Sequence, residues 1–466
     1  MTRSALLIST YEMGRQPFGL ASAAAWLRAA GWTVTSVDAA KDKLREGSLA
    51  TPDLIAVHLP MHTATRLAGP VIAAARRVNP SARICAFGLY APLNEAWLRS
   101  LGVDKVFGGE FEEDLANWAN DTAQKEPQST QSTQRKPFSA ISAVFSERAP
   151  LPRIHFLVPD RTGLPALSRY ATLQMPGGER RMVGYTEASR GCLHLCRHCP
   201  VVPIYNGQFR VVQPEVVLAD VGAQVAAGAG HITFGDPDFF NGPTHAMRIV
   251  TALHEAHPGV SYDVTIKVEH LLRHQDLMPR LAATGCAFVT SAVESIDDRV
   301  LALFDKGHTQ ADFRKAVALC REAGVTLVPT FVAFHPWLTL ASYSELLDTI
   351  DELGLVDHVS PIQLAIRLLV PEGSRLLTLD EMRAHVGGFD PGTLTYRWTH
   401  PDPRVDALQH DVMALVGMRL TADRRTLFDE VRALARERGG LPVAAADPRP
   451  ARARATVPYL NEPWYC

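Results

Sequence analysis

Apolar and polar positions alternate regularly along the first 120 residues of the chain. Short apolar segments are separated by amphipathic stretches with helical spacing, such as residues 19–31. The apolar segments span residues 4–10, 33–39, 54–60, 83–88 and 105–109. Strands separated by helices predict a doubly wound parallel α/β sheet of about five strands over residues 1–120. Ligands of such sheets bind beyond the carboxyl ends of the strands, here near residues 11–14, 60–63 and 88–92.

A second alternating pattern with a longer period follows, between about residues 183 and 370. Six apolar segments, separated by helical stretches, have the composition of strands. They span residues 183–189, 231–236, 261–268, 286–294, 326–334 and 359–366. Six βα units in one direction predict a parallel barrel, either complete or open at six strands, in a domain of residues 151–377 that includes a lead-in segment. Polar chemistry in such barrels collects at the carboxyl ends of the strands.

The segments that flank the barrel differ from it. Residues 121–150 are rich in Gln, Ser, Thr and Pro and have no hydrophobic periodicity, which predicts a flexible linker. Residues 378–466 have mainly helical patterns and then a Pro- and Ala-rich tail, so we expect a helical C-terminal region.

Composition narrows the class of protein. With 466 residues, of which 47% are hydrophobic, the chain can form two or three domains with sizeable cores. A net charge of -2 argues against a dedicated nucleic-acid surface. No segment approaches the roughly 18 uninterrupted apolar residues of a membrane span, and the N-terminal apolar segment is too short for a signal peptide. We therefore expect a cytoplasmic protein without nucleic-acid or membrane partners.

Three of the seven cysteines lie within eight positions, in the sequence RGCLHLCRHCP. Cys192, Cys196 and Cys199 follow a predicted strand, and thiolates are the ligands of iron–sulfur clusters. A zinc site would need a fourth ligand, for which His194 and His198 are sterically cramped candidates. A disulfide would leave one thiol unpaired. A [4Fe–4S] cluster held by three thiolates leaves one iron free for a small-molecule ligand.

The spacing Cys192-x3-Cys196-x2-Cys199 resembles the motif of the radical S-adenosylmethionine (SAM) superfamily. The resemblance covers about residues 180–370 and implies a partial (β/α)6 barrel. It implies that SAM binds the open iron through its amino and carboxylate groups. It also implies that one electron, from a donor such as flavodoxin or ferredoxin, cleaves SAM to methionine and a 5′-deoxyadenosyl radical.

Further positions match the superfamily one at a time. Gly235, Asp236 and Asp238 follow the second barrel strand, where the superfamily has a Gly-Gly-Glu-like stretch that receives the SAM amino group. The sequence of this chain departs from that pattern here, and the stretch also has the composition of an ordinary turn. Glu294 and Ser295 match a fourth-strand segment that would contact the SAM ribose or carboxylate, although Ser295 is also a candidate helix N-cap.

Arg367 follows the sixth predicted strand. The resemblance assigns it to the methionyl carboxylate of SAM, because guanidinium and carboxylate groups form paired hydrogen bonds. A surface salt bridge is the alternative interpretation.

A doubly wound domain ahead of such a barrel resembles the cobalamin-binding arrangement of many radical SAM enzymes. Cobalamin domains often have an Asp-x-His-x-x-Gly motif after the first strand, whose histidine is the lower axial ligand. The corresponding segment here, STYEMGRQPFG, contains no histidine. The domain therefore either binds cobalamin without an axial protein nitrogen or serves as a scaffold.

The chain ends in NEPWYC. This ending resembles a radical SAM subfamily whose tail continues Cys-Cys-Ala-Glu-Pro or Cys-selenocysteine-Ala-Glu-Pro. The resemblance implies that the sequence stops at a selenocysteine codon and that Cys466 belongs to a redox or metal-binding pair. The alternative is that the gene ends at Cys466.

Together these patterns predict a radical SAM enzyme that modifies a small-molecule substrate, with cobalamin-dependent methylation as one form of the reaction. Two alternatives remain. One is a cobalamin-independent radical enzyme that uses the tail cysteine. The other is a non-catalytic iron–sulfur or zinc protein that acts as a sensor or a binding module.

Overall fold

We describe the chain from a computed structural model, in which residues 3–121, 154–419, 423–442 and 456–461 are described. The predicted linker 121–150 and Cys466 lie, apart from residue 121, outside these residues. The strands are β1 Ser4–Ser9, β2 Thr33–Asp38, β3 Leu54–His58, β4 Arg83–Phe87, β5 Lys105–Phe107, β6 Thr172–Gln174, β7 Arg180–Thr186, β8 Ser189–Gly191, β9 Phe209–Val211, β10 His231–Phe234, β11 Ser261–Thr265, β12 Cys286–Glu294, β13 Thr326–Phe331, β14 Val386–Asp390, β15 Thr395–Trp398 and β16 Tyr459–Leu460.

Helices connect most of these strands. The α-helices are α1 Phe18–Ala29, α2 Glu46–Leu49, α3 His62–Val78, α4 Glu95–Ser100, α5 Glu112–Asn120, α6 Val202–Tyr205, α7 Pro214–Ala226, α8 Pro243–Ala256, α9 Val268–Arg273, α10 Met278–Ala283, α11 Asp298–Phe304, α12 Gln310–Glu322, α13 Leu340–Glu352, α14 Asp380–Arg383, α15 Pro403–Met418 and α16 Arg424–Arg438. None of the helices in the described residues is both long enough and apolar enough to cross a membrane.

The N-terminal sheet has five parallel strands in the order β2-β1-β3-β4-β5. Its side chains alternate between two packed layers, as the period of a strand requires. Leu6 and Ile8 pack in the layer that contains α3, whereas Ala5 and Leu7 pack in the layer that contains α1 and α5. The predicted doubly wound sheet is confirmed.

The second sheet has the order β13-β12-β11-β10-β7-β6-β16. Its first five members are parallel, and β6 and β16 add antiparallel strands at the edge. Ile232 of β10 packs in the large core between this sheet and its helices. The neighbouring His231 and Thr233 instead bond Asp263 at 2.8 and 2.6 Å, on the opposite face of the sheet. The curved half-barrel agrees with the predicted α/β class.

The prediction of a sixth barrel strand at residues 359–366 is wrong in its local structure. Pro361–Leu364 form a 3₁₀ turn, and this part of the chain is joined to the sheet by a single parallel bridge between Phe334 and Arg367. Pro361 has no backbone N–H to donate to a ladder. Its neighbour Gln363 accepts a hydrogen bond from the Phe331 backbone N–H at 3.1 Å, through its side chain. A side chain therefore replaces part of the missing strand.

The C-terminal region is only partly helical. Helices α15 and α16 pack on the barrel core, as the pattern predicts. The segment predicted as a helix from residue 379 instead ends after α14 and enters the hairpin β14–β15. Thr393, in the hairpin turn, accepts a hydrogen bond from His62 Nε2 at 2.7 Å, so the hairpin contacts the carboxyl edge of the N-terminal sheet.

Candidate metal centre

The three clustered cysteines lie in a loop whose two ends are joined. Strands β8 and β9 pair antiparallel at the base of the loop, and the Cys192 N–H donates to the Gln208 carbonyl at 3.0 Å. Gly191 adopts φ +76°, and a Cβ there would lie 2.5 Å from that carbonyl oxygen and 2.4 Å from Tyr205 Cδ1. Only glycine fits this position, so Cys192 begins from a fixed point.

The cysteine loop is also held at its middle and far side. The Arg197 N–H donates to the Phe304 carbonyl at 2.9 Å, and its guanidinium binds the Ala302 and Leu303 carbonyls at 3.0 Å each, at the C-terminal end of α11. A cation at this end also complements the helix dipole. Asn241 Oδ1 accepts from the Leu193 N–H at 3.1 Å. The loop is thus attached to two neighbouring βα units.

The burial of the three thiols fits their binding a metal cluster together better than it fits three unrelated cysteines. Cys192 and Cys196 are buried and Cys199 is half-buried. Burial raises the pKa of Cys192 to about 11 and that of Cys199 to about 12. Thiolates at such positions need a compensating positive charge, which a bound metal supplies.

The spacing of the sulfur atoms separates the cluster from a single ion. The three cysteine sulfurs are not all within 4.8 Å of one another. Three thiolates around one zinc ion would lie about 3.8 Å apart, since Zn–S bonds are about 2.3 Å. Cys192, His194 and Asp238 do place one ligand atom each within 4.8 Å of one another. The candidate group of close ligand atoms in the described residues thus contains Cys192 but not the set of three cysteines.

Gly235 and Asp236 support the strand that leads into the cysteine loop. Asp236 accepts from the Ala188 N–H at 2.9 Å and from Ser189 Oγ at 2.6 Å. Burial raises the pKa of Asp236 to about 7. A Cβ on Gly235 would lie 1.7 Å from Tyr185 Oη, so this position also requires glycine. Asp236 thus holds the start of β8, whereas Gly235 packs against Tyr185 of β7.

Asp238 lies in a group of imidazoles. Its Oδ2 is 2.7 Å from His270 Nδ1 and 3.3 Å from His194 Nε2, which belongs to the cysteine loop. Burial raises the pKa of Asp238, but hydrogen bonds from His194 and His270 more than offset this and hold the pKa below its usual value. The carboxylate therefore stays ionised although it is fully buried.

Glu294 ends β12 with φ +70°, a conformation that costs a non-glycine residue about 1–3 kcal/mol. Its Oε1 lies 3.0 Å from His198 Nε2 and 3.4 Å from Lys306 Nζ. Burial raises the pKa of Glu294, but Lys306 and His198 outweigh it and lower the pKa to about 2. The strained backbone thus points a carboxylate at the cysteine loop.

Lys306 was not among the residues that the sequence singled out. It is buried, and burial lowers its pKa, but Glu294, Cys196 and Cys199 together raise the pKa above its usual value. The sequence DKGHT looks like an ordinary turn after a helix. The only signal was a lysine twelve positions after the strand-end glutamate.

The remaining predicted site residues have other contacts. Ser295 Oγ accepts from the Asp297 N–H at 3.0 Å, and Asp297 itself is the N-cap of α11. Arg367 donates to Asp406 Oδ1 at 2.6 Å and to the Trp398 carbonyl at 2.7 Å, and stacks on the Trp398 ring. Asp238 and Glu294 thus contact side chains of the cysteine loop, whereas Arg367 contacts the C-terminal region.

The carboxyl edge of the N-terminal sheet is covered by other parts of the chain. The Gly14 carbonyl accepts from the Ala171 N–H at 2.9 Å, and His62 bonds the hairpin turn. His58 Nδ1 lies 3.4 Å from Glu12 Oε2, in the first loop. Burial lowers the pKa of His62, whose ring is half-buried. This edge therefore has contacts to both the lead-in segment and the hairpin.

Comparison with known proteins identifies the barrel. Residues 186–353 match the family described as the Radical SAM superfamily.

Two curated relatives are tRNA-2-methylthio-N(6)-dimethylallyladenosine synthases. The protein of Desulfosudis oleivorans is 24% identical over 189 residues, which cover 37% of this chain and 38% of that protein. The protein of Hahella chejuensis is 23% identical over 229 residues, which cover 47% and 49%. The chain thus spans less than half the length of either relative.

Two solved structures share most of the fold. The cobalamin-dependent SAM radical enzyme OxsB with aqua-cobalamin bound has a TM-score of 0.66 and 14% identity, and the match covers 90% of this chain and 67% of that one. The radical SAM methyltransferase TsrM from Kitasatospora setae, with cobalamin and a [4Fe–4S] cluster bound, has a TM-score of 0.56 and 19% identity, and the match covers 76% and 74%. The likeness extends beyond the barrel to the N-terminal sheet.

Proposed function

Because the chain carries a radical SAM domain, we propose that it cleaves SAM reductively at a [4Fe–4S] cluster and modifies a small-molecule substrate. The family match and the structural neighbours are those of an enzyme. The single observation that carries the proposal is the set of three buried or half-buried thiols on one anchored loop, within the segment that matches the radical SAM family. A cluster held by Cys192, Cys196 and Cys199 supplies an open iron position and one electron.

The surroundings of the loop support a SAM site. Lys306 offers a buried ammonium, which suits the carboxylate of a methionyl group. Asp238 and Glu294 offer buried carboxylates, which suit an ammonium or the hydroxyl groups of a ribose. We propose that these three residues orient SAM, with Gly235 and Asp236 as supports of the loop and Ser295 as a support of Glu294. We also propose Arg367 as a ligand of the SAM carboxylate, although its contacts to Asp406 and Trp398 argue against that role.

We propose further that the N-terminal domain binds cobalamin, as OxsB and TsrM do. The buried atoms Ser9 Oγ, in the last residue of β1, and Asn94 Oδ1, in the 3₁₀ turn that follows β4, have no hydrogen-bond partner and suit the amide groups of a corrin. His58 and His62, the imidazoles at this edge in the described residues, face Glu12 and Thr393. Binding would therefore leave cobalt without a protein nitrogen. Cobalamin supplies a carrier for a methyl group, so methylation is the reaction that this arrangement favours.

A cobalamin-independent radical enzyme is the second candidate. The contacts of Gly14 with Ala171 and of His62 with Thr393 favour it, because they cover the edge that cobalamin would use. In that case the N-terminal domain is a scaffold for the barrel.

Anaerobic reconstitution with iron and sulfide, followed by reduction with SAM present, tests the proposal. We expect about four iron atoms per chain and formation of 5′-deoxyadenosine. A full cluster that leaves SAM intact would contradict the proposed function. Cobalamin is tested separately by its visible absorption after purification from supplemented cells and removal of iron. A colourless protein would favour the second candidate.

A further inference from the structure

Two acidic residues of the N-terminal domain bind the base of the cysteine loop. Arg190 of β8 and Arg210 of β9 are register partners in the ribbon that closes the loop. Arg190 Nη1 lies 2.6 Å from Glu112 Oε1, and Arg210 Nε lies 3.2 Å from Glu110 Oε2. The two glutamates lie on either side of Phe111, where the turn after β5 leads into α5. Each strand of the ribbon is thus attached to the same short segment.

The Arg190 pair is buried and fully surrounded. Arg190 is 7% exposed and Glu112 is 0% exposed. Glu112 Oε1 also accepts from Ser22 Oγ at 2.7 Å, and Arg190 Nε binds Glu187 Oε2 at 2.7 Å. The rings of Phe18, Phe111 and Phe156 lie 4.8–5.7 Å from the guanidinium carbon. Removing the charge of Glu112 takes away one of the two carboxylates that pair with the buried Arg190 guanidinium, and weakening a buried ion pair in this way is destabilising.

The connection between this pair and the thiols is short and stiff. Only Gly191 separates Arg190 from Cys192, and a Cβ on Gly191 would clash with Tyr205 and the Gln208 carbonyl, so the backbone between the two residues is closely packed. A shift of Arg190 would therefore be passed to the Cys192 sulfur. Such a shift would also admit water at the base of the loop, and the potential of a cluster depends on hydrogen bonds and solvent exposure.

We propose that Glu112, assisted by Glu110, is a positioning residue of the cluster site, so that the N-terminal domain sets the electronic properties of a centre formed by the barrel. The inference rests on the proposed cluster at Cys192, Cys196 and Cys199. Because both glutamates lie at the carboxyl edge of the N-terminal sheet, this link also connects the edge that would bind cobalamin with the cysteine loop.

The test compares Glu112→Gln with Glu113→Gln in the full chain. Glu113 lies next to Glu112 in the first turn of α5 but is exposed, so it is a matched control. The reconstituted proteins are titrated anaerobically, and the reduced cluster is followed by electron paramagnetic resonance. We expect Glu112→Gln to change the ratio of reduced to oxidised cluster at a fixed potential by at least threefold and to alter the g-values. Glu113→Gln should match the wild type in both, and a Glu112→Gln protein that also matches it would overturn the proposal.

A second measurement keeps the inference separate from the proposed function. Hydrogen exchange of residues 189–211 is compared in the iron-free proteins, with Glu110→Gln as a milder variant in case Glu112→Gln does not fold. We expect exchange at least tenfold faster in the Glu110→Gln or Glu112→Gln protein than in Glu113→Gln. Unchanged exchange would overturn the positioning role. If the wild type assembles no cluster, but the Glu110→Gln or Glu112→Gln variant still exchanges faster than Glu113→Gln, the proposed function is contradicted and the link between the two domains stands.

Discussion

The two parallel sheets of this protein have the same local architecture but very different carboxyl edges. In the N-terminal sheet, the buried carboxylates at or after the strand ends, Asp38 and Glu112, bond Tyr170 and Arg190 of the barrel domain, and the His58–Glu12 approach is 3.4 Å. In the barrel, the strand ends carry three thiols and buried charges in close pairs, such as Glu294 with Lys306. The parallel sheet alone therefore does not make a reactive site; the residues after each strand do.

The difference has an energetic meaning. Burying an ion costs several kcal/mol, and a protein that needs only a stable core gains nothing from it. The barrel edge nevertheless buries Asp238, Glu294 and Lys306, each beside an opposite charge or an imidazole. Buried ionised groups around one loop are typical of sites that bind charged ligands. Four predictions test this contrast, from the largest expected effect to the smallest.

The largest effect is expected from replacing a cysteine of the cysteine loop, compared with replacing a cysteine of the N-terminal sheet. Cys196→Ala removes one of three cluster ligands, so we expect iron binding to fail and 5′-deoxyadenosine formation to drop by about 1,000-fold, or about 4 kcal/mol in activation free energy. Cys85→Ala, in the core of the N-terminal sheet, should keep both iron and activity. Iron analysis and product assay check this. Loss of the cluster in Cys85→Ala would remove the contrast between the sheets.

The second prediction concerns the charge at the end of β12. Lys306→Met leaves Glu294 buried with only His198 beside it, and we expect the free energy of unfolding to fall by about 3–5 kcal/mol. The SAM dissociation constant should rise as well. Lys315→Met removes an exposed lysine from α12 and should change stability by less than about 0.5 kcal/mol. Denaturant unfolding and SAM titration measure both. Equal effects of the two variants would mean that the buried Lys306–Glu294 pair contributes no more to stability and SAM binding than an exposed lysine does.

Much of this architecture was readable from the sequence, and the failures have physical causes. The predicted strand at residues 286–294 has the same bounds as β12, because a mainly apolar segment lies between Gly285 and the polar turn that begins at Ser295. The strand predicted at 359–366 has the same apolar content, but Pro361 cannot join a ladder. The hairpin β14–β15 was missed because Gly387 and Gly388 weaken its strand pattern.

The sequence indicated most residues of the candidate site but not their electrostatics, and the ligand roles stay predictions. The cysteine spacing indicated a cluster through its resemblance to the radical SAM motif, and the same resemblance, together with their places after barrel strands, indicated Asp238 and Glu294. Lys306 could not be found in this way, because its contact with Glu294 depends on a backbone angle of φ +70° that no residue pattern signals. The Glu112–Arg190 contact joins positions 78 residues apart in the chain, and local periodicity carries no information about it.

The third prediction uses an imidazole at the barrel edge. Burial, with His400 nearby, lowers the pKa of His335 to about 3, below the unfolded value of about 6.5. The unfolded chain therefore takes up the proton first, and stability is complete above about pH 6.5 and declines as the pH falls. Between pH 7.5 and 5.0 this residue should cost about 2 kcal/mol. Between pH 7.5 and 5.0, the free energy of unfolding of His335→Gln should therefore fall by about 2 kcal/mol less than that of the wild type. His410 is exposed, and His410→Gln should show the same fall as the wild type.

The smallest effect decides the role of Arg367, at the open end of the barrel. Its guanidinium lies 2.6 Å from Asp406 Oδ1, stacks on Trp398 and is 29% exposed in its side chain. We expect Arg367→Gln to destabilise the protein by about 1 kcal/mol, as for a partly exposed ion pair with a cation–π contact. The SAM dissociation constant should stay within about twofold. Asp406→Asn is the matched variant, because it removes the negative charge of the same contact without touching the arginine. If both variants lower the melting temperature alike and leave SAM affinity unchanged, Arg367 joins the C-terminal region to the barrel. A rise of tenfold or more in the dissociation constant for Arg367→Gln alone, equal to about 1.4 kcal/mol, would instead assign it to the SAM carboxylate. The reactive edge of the barrel would then extend to its last, incomplete strand.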